Sequence, residues 1–284
     1  MLFNFDLFPF SELISELEQP EGERSNAPYW YRLSDGWYWI DVGETHLFRY
    51  TPACRDVWQP LRRASGLYVD YFLSTFFRDL LEHLPAMLEP IPAPLAERLS
   101  SMREWNDWVA ERDKCREEGE EEEEEDCDLD DEVEKVGEFY NYGVNWWYER
   151  NIGVGYLNAG PHIWIWNDST NIHVGWDNRG CLINGLPVWE AQMGQIALPI
   201  ADFLNELLAF DHQLMGEMAE RIVAARDYWA DPRFVDNLLF LQQEQQDYAA
   251  MLGDTLSNAT SRLPTDWLRV LSSIAAYPPS SKRS

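Results

Sequence analysis

Basic residues are scarce in this chain of 284 residues: 22 Lys and Arg stand against 50 Asp and Glu, a formal net charge of −28. That balance disfavours a nucleic-acid ligand, because phosphate binding relies on Lys and Arg releasing counterions. It disfavours an anionic membrane surface for the same reason. Cysteine is also sparse, and no C-x-x-C pair occurs. Cys54, Cys115, Cys127 and Cys181 read as free thiols of a reducing cytoplasm, although Cys115 and Cys127 bracket one tract and are placed to bridge. No apolar run reaches the roughly 18 residues a membrane span needs. The N-terminal MLFNFDLFPF lacks a basic region, carries Asp6 and breaks at Pro9, so it is not read as a signal peptide. G-x-S-x-G, G-x-x-x-x-G-K, G-x-G-x-x-G and H-E-x-x-H are all missing. Nucleophile-elbow, P-loop, dinucleotide and zinc-protease chemistry lose their signatures with them. The expectation is a cytoplasmic protein with no cofactor, no metal, no nucleic acid and no membrane partner.

Aromatic residues are abundant: 14 Trp, 13 Tyr and 13 Phe, within a 45% apolar composition. That is enough to build a substantial core, or a broad adhesive surface. The acids are unevenly spread. Residues 117–134 hold fourteen acids and no base; without them 36 acids face 22 bases, and the charge is still −14. The tract within 114–137 reads as a solvated low-complexity insertion, since adjacent carboxylates repel and nothing apolar compensates the ordering entropy. Asp126, Asp128 and Asp130 match the first positions of a calcium loop. Asp131 then stands where Gly is required and Gly137 where the bidentate Glu belongs, so the match fails.

Periodicity organises the rest. Phe3, Phe5 and Leu7 alternate as a short strand, and Ser11 with Glu12 opens a brief helix. DGWYWIDVGETHLFRYT reads as a hairpin turning at Gly43-Glu44. Pairing Val42 with Thr45 puts Trp37, Trp39, Asp41, His46, Phe48 and Tyr50 on one face, with Tyr38, Ile40, Val42 and Leu47 on the other. Helical spacing runs from Gly66 to Leu84, ended by Pro85. A second helix follows Pro92 and Pro94, with the stripe Leu95, Leu99, Met102, Trp105 and Val109. PHIWIWNDSTNIHVGWDN predicts a second hairpin: Ile163, Ile165, Ile172, Val174 and Trp176 face one way, His162, Trp164, Trp166, Asn171 and His173 the other. A strand over 186–197 precedes a long helix starting at Pro199, whose stripe includes Leu204, Leu208, Met215, Met218 and Val223. Asp231-Pro232 opens another helix, Thr265 caps a last one, and 278–284 is a frayed tail. Strands joined by hairpins rather than by β-α-β crossovers predict a single α+β domain over 1–284. Its architecture would be an antiparallel sheet with helices on one face and long C-terminal helices.

Catalysis would need converging carboxylates, and Asp41, Glu149, Asp177 and Glu190 are the candidates near aromatic strands. Finding them apart would remove an enzyme acting on a carbohydrate or small polar ligand. A metal at His162 and His173 would need a third ligand, such as Asp177 or His46. The segments RLSDGWYWIDVGETHLFRYT and WWYERNIGVGYLNAGPHIWIWNDSTNIHVGWDN resemble an uncharacterised bacterial family of unknown function, over residues 1 to 226. That resemblance brings no catalytic residue with it. The general profile is similar to that of immunity proteins: acidic, α+β and without a catalytic signature. It implies a non-catalytic binding protein that neutralises a cognate toxin, itself basic and nuclease-like. The contact set expected for that partner is Trp37, Trp39, Asp41, His162, Trp164, Trp166, His173 and Asp177.

Overall fold

The computed structural model describes residues 2–17, 29–58, 66–111, 139–259 and 264–276. The acidic tract, Cys115, Cys127 and the C-terminal tail lie outside them. The class is α+β, with antiparallel hairpin sheets and long C-terminal helices.

The strands divide between two main sheets. In the first, β1 (Phe3–Leu7) pairs with β2 (Asp35–Val42), whose other edge is shared end to end by β3 (Thr45–Leu47) and β4 (Val69–Phe72). Val42 pairs with Thr45 and Asp41 with His46, as the hairpin pattern requires. In the second, β5 (Ile163–Asn167) pairs with β6 (Asn171–Asp177), which pairs with β9 (Met193–Pro199). A small ladder of β7 (Leu182–Ile183) and β8 (Leu186–Pro187) lies between them in sequence. The two sheets are stitched where Tyr50 bridges Trp189, their rings stacked at 4.8 Å.

Helices α1 (Phe10–Leu17), α2 (Trp30–Leu33) and α3 (Pro52–Trp58) are short. α4 (Leu73–Leu88), α8 (Ile200–Tyr228) and α9 (Val235–Ala259) are long. α5 (Ala93–Arg98) leads through one 3-10 turn into α6 (102–111); a π-helical turn, Phe139–Val144, leads into α7 (Asn145–Tyr148). α10 is Trp267–Ala276.

Two apolar clusters result. The larger joins the inner face of the first sheet to α4 and α8, and Phe3, Tyr38, Phe76 and Phe210 meet ring to ring within it. The smaller gathers Leu95, Leu99, Met102, Trp105, Trp146, Trp147, Trp164 and Trp166. The β5–β6 pair is the wall between them: Ile163, Ile165, Ile172, Val174 and Trp176 enter the larger cluster, Trp164 and Trp166 the smaller. Two glycines permit this closeness. A Cβ on Gly175 would lie 2.4 Å from Met102 Sδ, and one on Gly194 would lie 2.2 Å from the Trp176 ring. At Gly194 a side chain would displace a packed indole, whereas at Gly175 the end of the flexible Met102 side chain would have to give way beside the Trp166 ring, so the cost is larger at Gly194.

Several sequence expectations are corrected. Phe48 does not join Trp39. It adopts φ of 65°, which turns the chain and sends its ring into the core against Tyr38 and Phe76. Tyr50 follows it inward. The helix expected from Gly66 starts only at Leu73, because Val69–Phe72 is taken by the open edge of β2. It also passes Pro85 and ends at Leu88. The strand expected over 186–197 is two strands, β8 and β9. On α8, Phe210, Leu214 and Ala225 are buried, whereas Leu208 and Val223 are about half exposed at 49% each.

A short helix binds the N-terminal part to α9. Trp30 is fully buried, stacks on Tyr248 at 3.8 Å, and donates from Nε1 to Gln245 Oε1 at 2.6 Å. Beyond it, Arg150 is fully buried: Nη1 donates to the Trp146 carbonyl at 2.7 Å, and Nη2 reaches Glu89 Oε2 at 3.3 Å. Glu89 Oε1 accepts from the Thr265 backbone N–H at 2.7 Å, and Oε2, shared with Arg150, accepts from the Thr265 hydroxyl at 2.6 Å. The guanidinium also lies over the rings of Trp146 and Trp267. One ion pair thus ties the end of α4 to α7 and to the start of α10.

Candidate functional site

Period two arranges the outer face of the first sheet in rows. Asp6, Trp37 and Asp70 form one, because Trp37 pairs with Asp6 on one side and with Asp70 on the other. Asn4 and Trp39 form the next, continued by Tyr68, whose ring stacks on Trp39 at 4.4 Å. Asp41 and His46 form the third, joined at 2.6 Å, and Asn4 donates to Asp41 at 3.0 Å. All of these side chains are half-buried except Asp6, which is exposed. Asp35 shares the face. Burial, then repulsion from Asp70, push its carboxyl from 3.8 up to about 6, against the backbone hydrogen bond of Gly36 and the Arg221 charge. The face therefore combines two tryptophans with crowded carboxylates, one of which is costly to ionise.

A second locus is a cleft of about 380 Å³ where α6 and α7 meet the ends of β5 and β6. Its floor holds Trp147 and Trp164, stacked at 5.2 Å, and its rim holds Tyr148 and His162. Arg179 grips Asp177 with two hydrogen bonds, 2.7 and 2.6 Å, and reaches Asp107 at 3.0 Å. Burial opposes ionisation of Asp177, but the Arg179 hydrogen bonds outweigh it and hold the carboxyl below its usual range.

The eight predicted contact residues therefore separate. Trp37, Trp39 and Asp41 share the outer face of the first sheet; His162, Trp164 and Asp177 border the cleft. Trp166 is 1% exposed and Trp164 7%. Both rings are committed to the smaller cluster, so Trp166 has no surface to offer a partner and Trp164 little more than an edge. His173 is held by Asp168 at 2.6 Å and stacks flat on Trp166 at 5.1 Å, which makes it part of the hairpin's own packing. The four carboxylates considered for catalysis sit with different neighbours: Asp41 with His46, Asp177 with Arg179, Glu190 with Arg49 and Glu149 with Asn145. Among the described residues no three His, Cys, Asp or Glu side chains are grouped to hold a metal, and no helix is long and apolar enough to cross a membrane.

Sequence reasoning missed Tyr68 and Asp70 as members of the face because the chain from Gly66 was read as helix, and Asp35 because the faces of the hairpin were counted only from Trp37. It also missed Arg179, which turns back on Asp177 from two residues along, and Asp107, brought to Arg179 by α6 in an orientation no local pattern encodes. A third polar group went unseen as well. The Tyr38 and Tyr156 hydroxyls lie 3.0 Å apart, with Tyr71 stacked on Tyr156 at 4.5 Å. Near them Asp79 is raised from 3.8 to about 6, first by burial and then by Glu82, against His83 and Arg78. Its folded form holds a proton more tightly than the unfolded chain does. Its contribution to stability is therefore full at low pH and is lost as pH rises through about 6. After allowance for partial exposure, Asp79→Asn should stabilise by about 1–2 kcal/mol at pH 8 and by almost nothing near pH 4, read from urea melts at both.

The model of a family of unknown function, DUF5984, matches residues 2–273. The chain belongs to that family. The match takes in both sheets, both apolar clusters and every candidate residue above. It also continues past residue 226, where the resemblance read from the sequence ended, through α9 and most of α10. No curated protein and no solved structure matches.

Proposed function

We propose that this DUF5984 protein is a non-catalytic binding protein of the immunity type, acting in the cytoplasm to neutralise a cognate basic, nuclease-like toxin by direct contact. The observation that carries the reading is the outer face of the first sheet, where Trp37, Trp39 and Tyr68 lie among Asp6, Asp35, Asp41 and Asp70. Aromatic side chains of this kind supply most of the energy of a protein interface when a partner covers them. Carboxylates around them speed encounter with a basic surface and select against acidic ones. Burial and then Asp70 raise the Asp35 pKa, and a cationic side chain placed beside it would favour its ionised form. The overall charge of −28 acts in the same direction at long range.

Growth rescue is the direct test. The chain is co-expressed with the toxin-type gene beside its own, in a host that the toxin kills. Survival with the wild-type chain and death with a Trp37→Ala/Trp39→Ala double variant of equal abundance supports the proposal. Death with both, or equal survival with both, refutes it.

A further inference from the structure

A strand at the border of a sheet shows a row of backbone N–H and C=O groups that another chain can pair with, so natural edges are covered, charged or interrupted. The outer edge of β5 is covered: the Ile152 N–H donates to the Ile163 carbonyl at 2.8 Å, and the Ile165 N–H to the Arg150 carbonyl at 2.9 Å. β1 is short and carries the exposed charge of Asp6. β9 has none of these guards. Its seven residues, MGQIALP, include no charged side chain. All of them pair with β6 in unbroken register, so no bulge bends the strand, and its one proline comes last. Among the described residues nothing pairs with its other side. Parity shows which groups are open there. The Asn178 N–H donates to the Gln192 carbonyl at 2.6 Å, and the Asp177 N–H to the His162 carbonyl at 3.1 Å. Carried along the register, even-numbered residues of β9 turn their backbone groups toward β6 and odd-numbered ones turn theirs away. The free edge is therefore formed by the N–H and C=O groups of Met193, Gln195 and Ala197. On the side facing the larger cluster, Ile196 and Leu198 are only partly buried, as the last strand of a sheet leaves them.

We propose that two copies of this chain pair through β9, antiparallel about a two-fold axis, so that two three-stranded sheets become one continuous sheet. The edge is self-complementary. With Gln195 opposite its own copy, Met193 falls opposite Ala197 of the partner subunit, and Ala197 opposite Met193 of the partner subunit. Residues facing each other in such pairs exchange both hydrogen bonds, so every outward group of the three finds a partner. In the same register Gly194 faces Ile196 of the partner subunit. That is a close, non-hydrogen-bonded pair, and it sets the isoleucine beside the Trp176 ring that fills the glycine's place. Charge points to a second copy rather than to a basic protein. β9 offers no carboxylate to attract a cationic surface, and a strand without charge lets two molecules of net charge −28 meet where local repulsion is least. The contact lies on the second sheet and does not rest on toxin neutralisation.

The test is light scattering of the full chain from about 1 to 300 μM, in ~0.15 M salt to screen the net charge. The mass should rise toward twice that of one chain, with Kd on the order of 10 μM, as suits a small interface. Ala197→Pro removes one outward N–H and spares the bonds to β6, so it should keep the circular dichroism of the wild type and raise Kd at least ~10-fold. Gln195→Glu and Gln195→Lys each place like charges face to face across the axis. Either variant alone should be monomeric, and an equimolar mixture should dimerise, because Glu then opposes Lys. Should Ala197→Pro fail to fold, the Gln195 pair decides. The proposal is overturned if the wild-type chain stays monomeric at ~300 μM, or if a folded Ala197→Pro chain dimerises as tightly as wild type. It is equally overturned if the two Gln195 variants dimerise as well alone as mixed, or stay monomeric when mixed.

Discussion

Arg150→Ala should destabilise the protein by about 3–5 kcal/mol in urea unfolding, the range for removing one partner of a buried ion pair. Arg150 is fully buried, and Glu89, its partner, is only 16% exposed at the side chain. Once the guanidinium is gone, a carboxylate remains in a place water reaches poorly. The Trp146 carbonyl loses a donor, and the rings of Trp146 and Trp267 lose the cation lying over them. The loss is mostly that of stranding Glu89, so an Arg150→Met/Glu89→Gln double variant should recover a large part of it. Gln retains an acceptor for Thr265, and Met fills much of the vacated volume. A single variant within 1 kcal/mol of wild type would show that the pair contributes little.

Trp39→Ala should weaken binding of the toxin partner by at least about 2 kcal/mol, or roughly 30-fold, in calorimetric titration. Trp39 is the middle of the outer face, flanked by Asn4 and stacked on Tyr68. Central aromatic anchors dominate interface energetics, whereas rim residues contribute little. Leu268→Ala, at a position 81% exposed on α10, serves as the control and should change affinity less than twofold by the same reasoning. Equal effects from the two substitutions would move the interface away from this face.

Alternation made the hairpins legible. The pairing of Val42 with Thr45 follows from one glycine turn, and the sorting of Ile163, Ile165 and Val174 from Trp164 and Trp166 follows from strict period two. What alternation left open was which side is covered. Trp37 and Trp39 read in sequence just as Trp164 and Trp166 do. Only the return of α6 and α7 over the second sheet buries the latter pair, and that return depends on contacts distant along the chain. β4 was hidden for a related reason. Leu67, Tyr71 and Phe72 fit a helical stripe, but the edge of β2 left open beyond β3 offers Val69–Phe72 backbone partners, and tertiary pairing overrode local spacing. Phe48 shows the limit from the other side, since a left-handed residue with a bulky side chain is rare enough that no pattern announces it. Of the candidate residues, those on the first hairpin were placed correctly relative to one another. Asp107 and Arg179 came from segments 72 residues apart that no spacing rule joins.

Gly175 on β6 and Gly194 on β9 are bare patches on opposite sides of one strand pair, each filled by a neighbour: Met102 against the first, Trp176 against the second. Slipping β6 by one residue against either flanking strand would drive an indole into backbone and carry Ile172 and Val174 out of the oily interior. The two vacancies thus act as registry keys, and a misaligned sheet has nowhere to put its bulk. The nascent chain is left with one acceptable alignment among several that hydrogen bonding alone would tolerate.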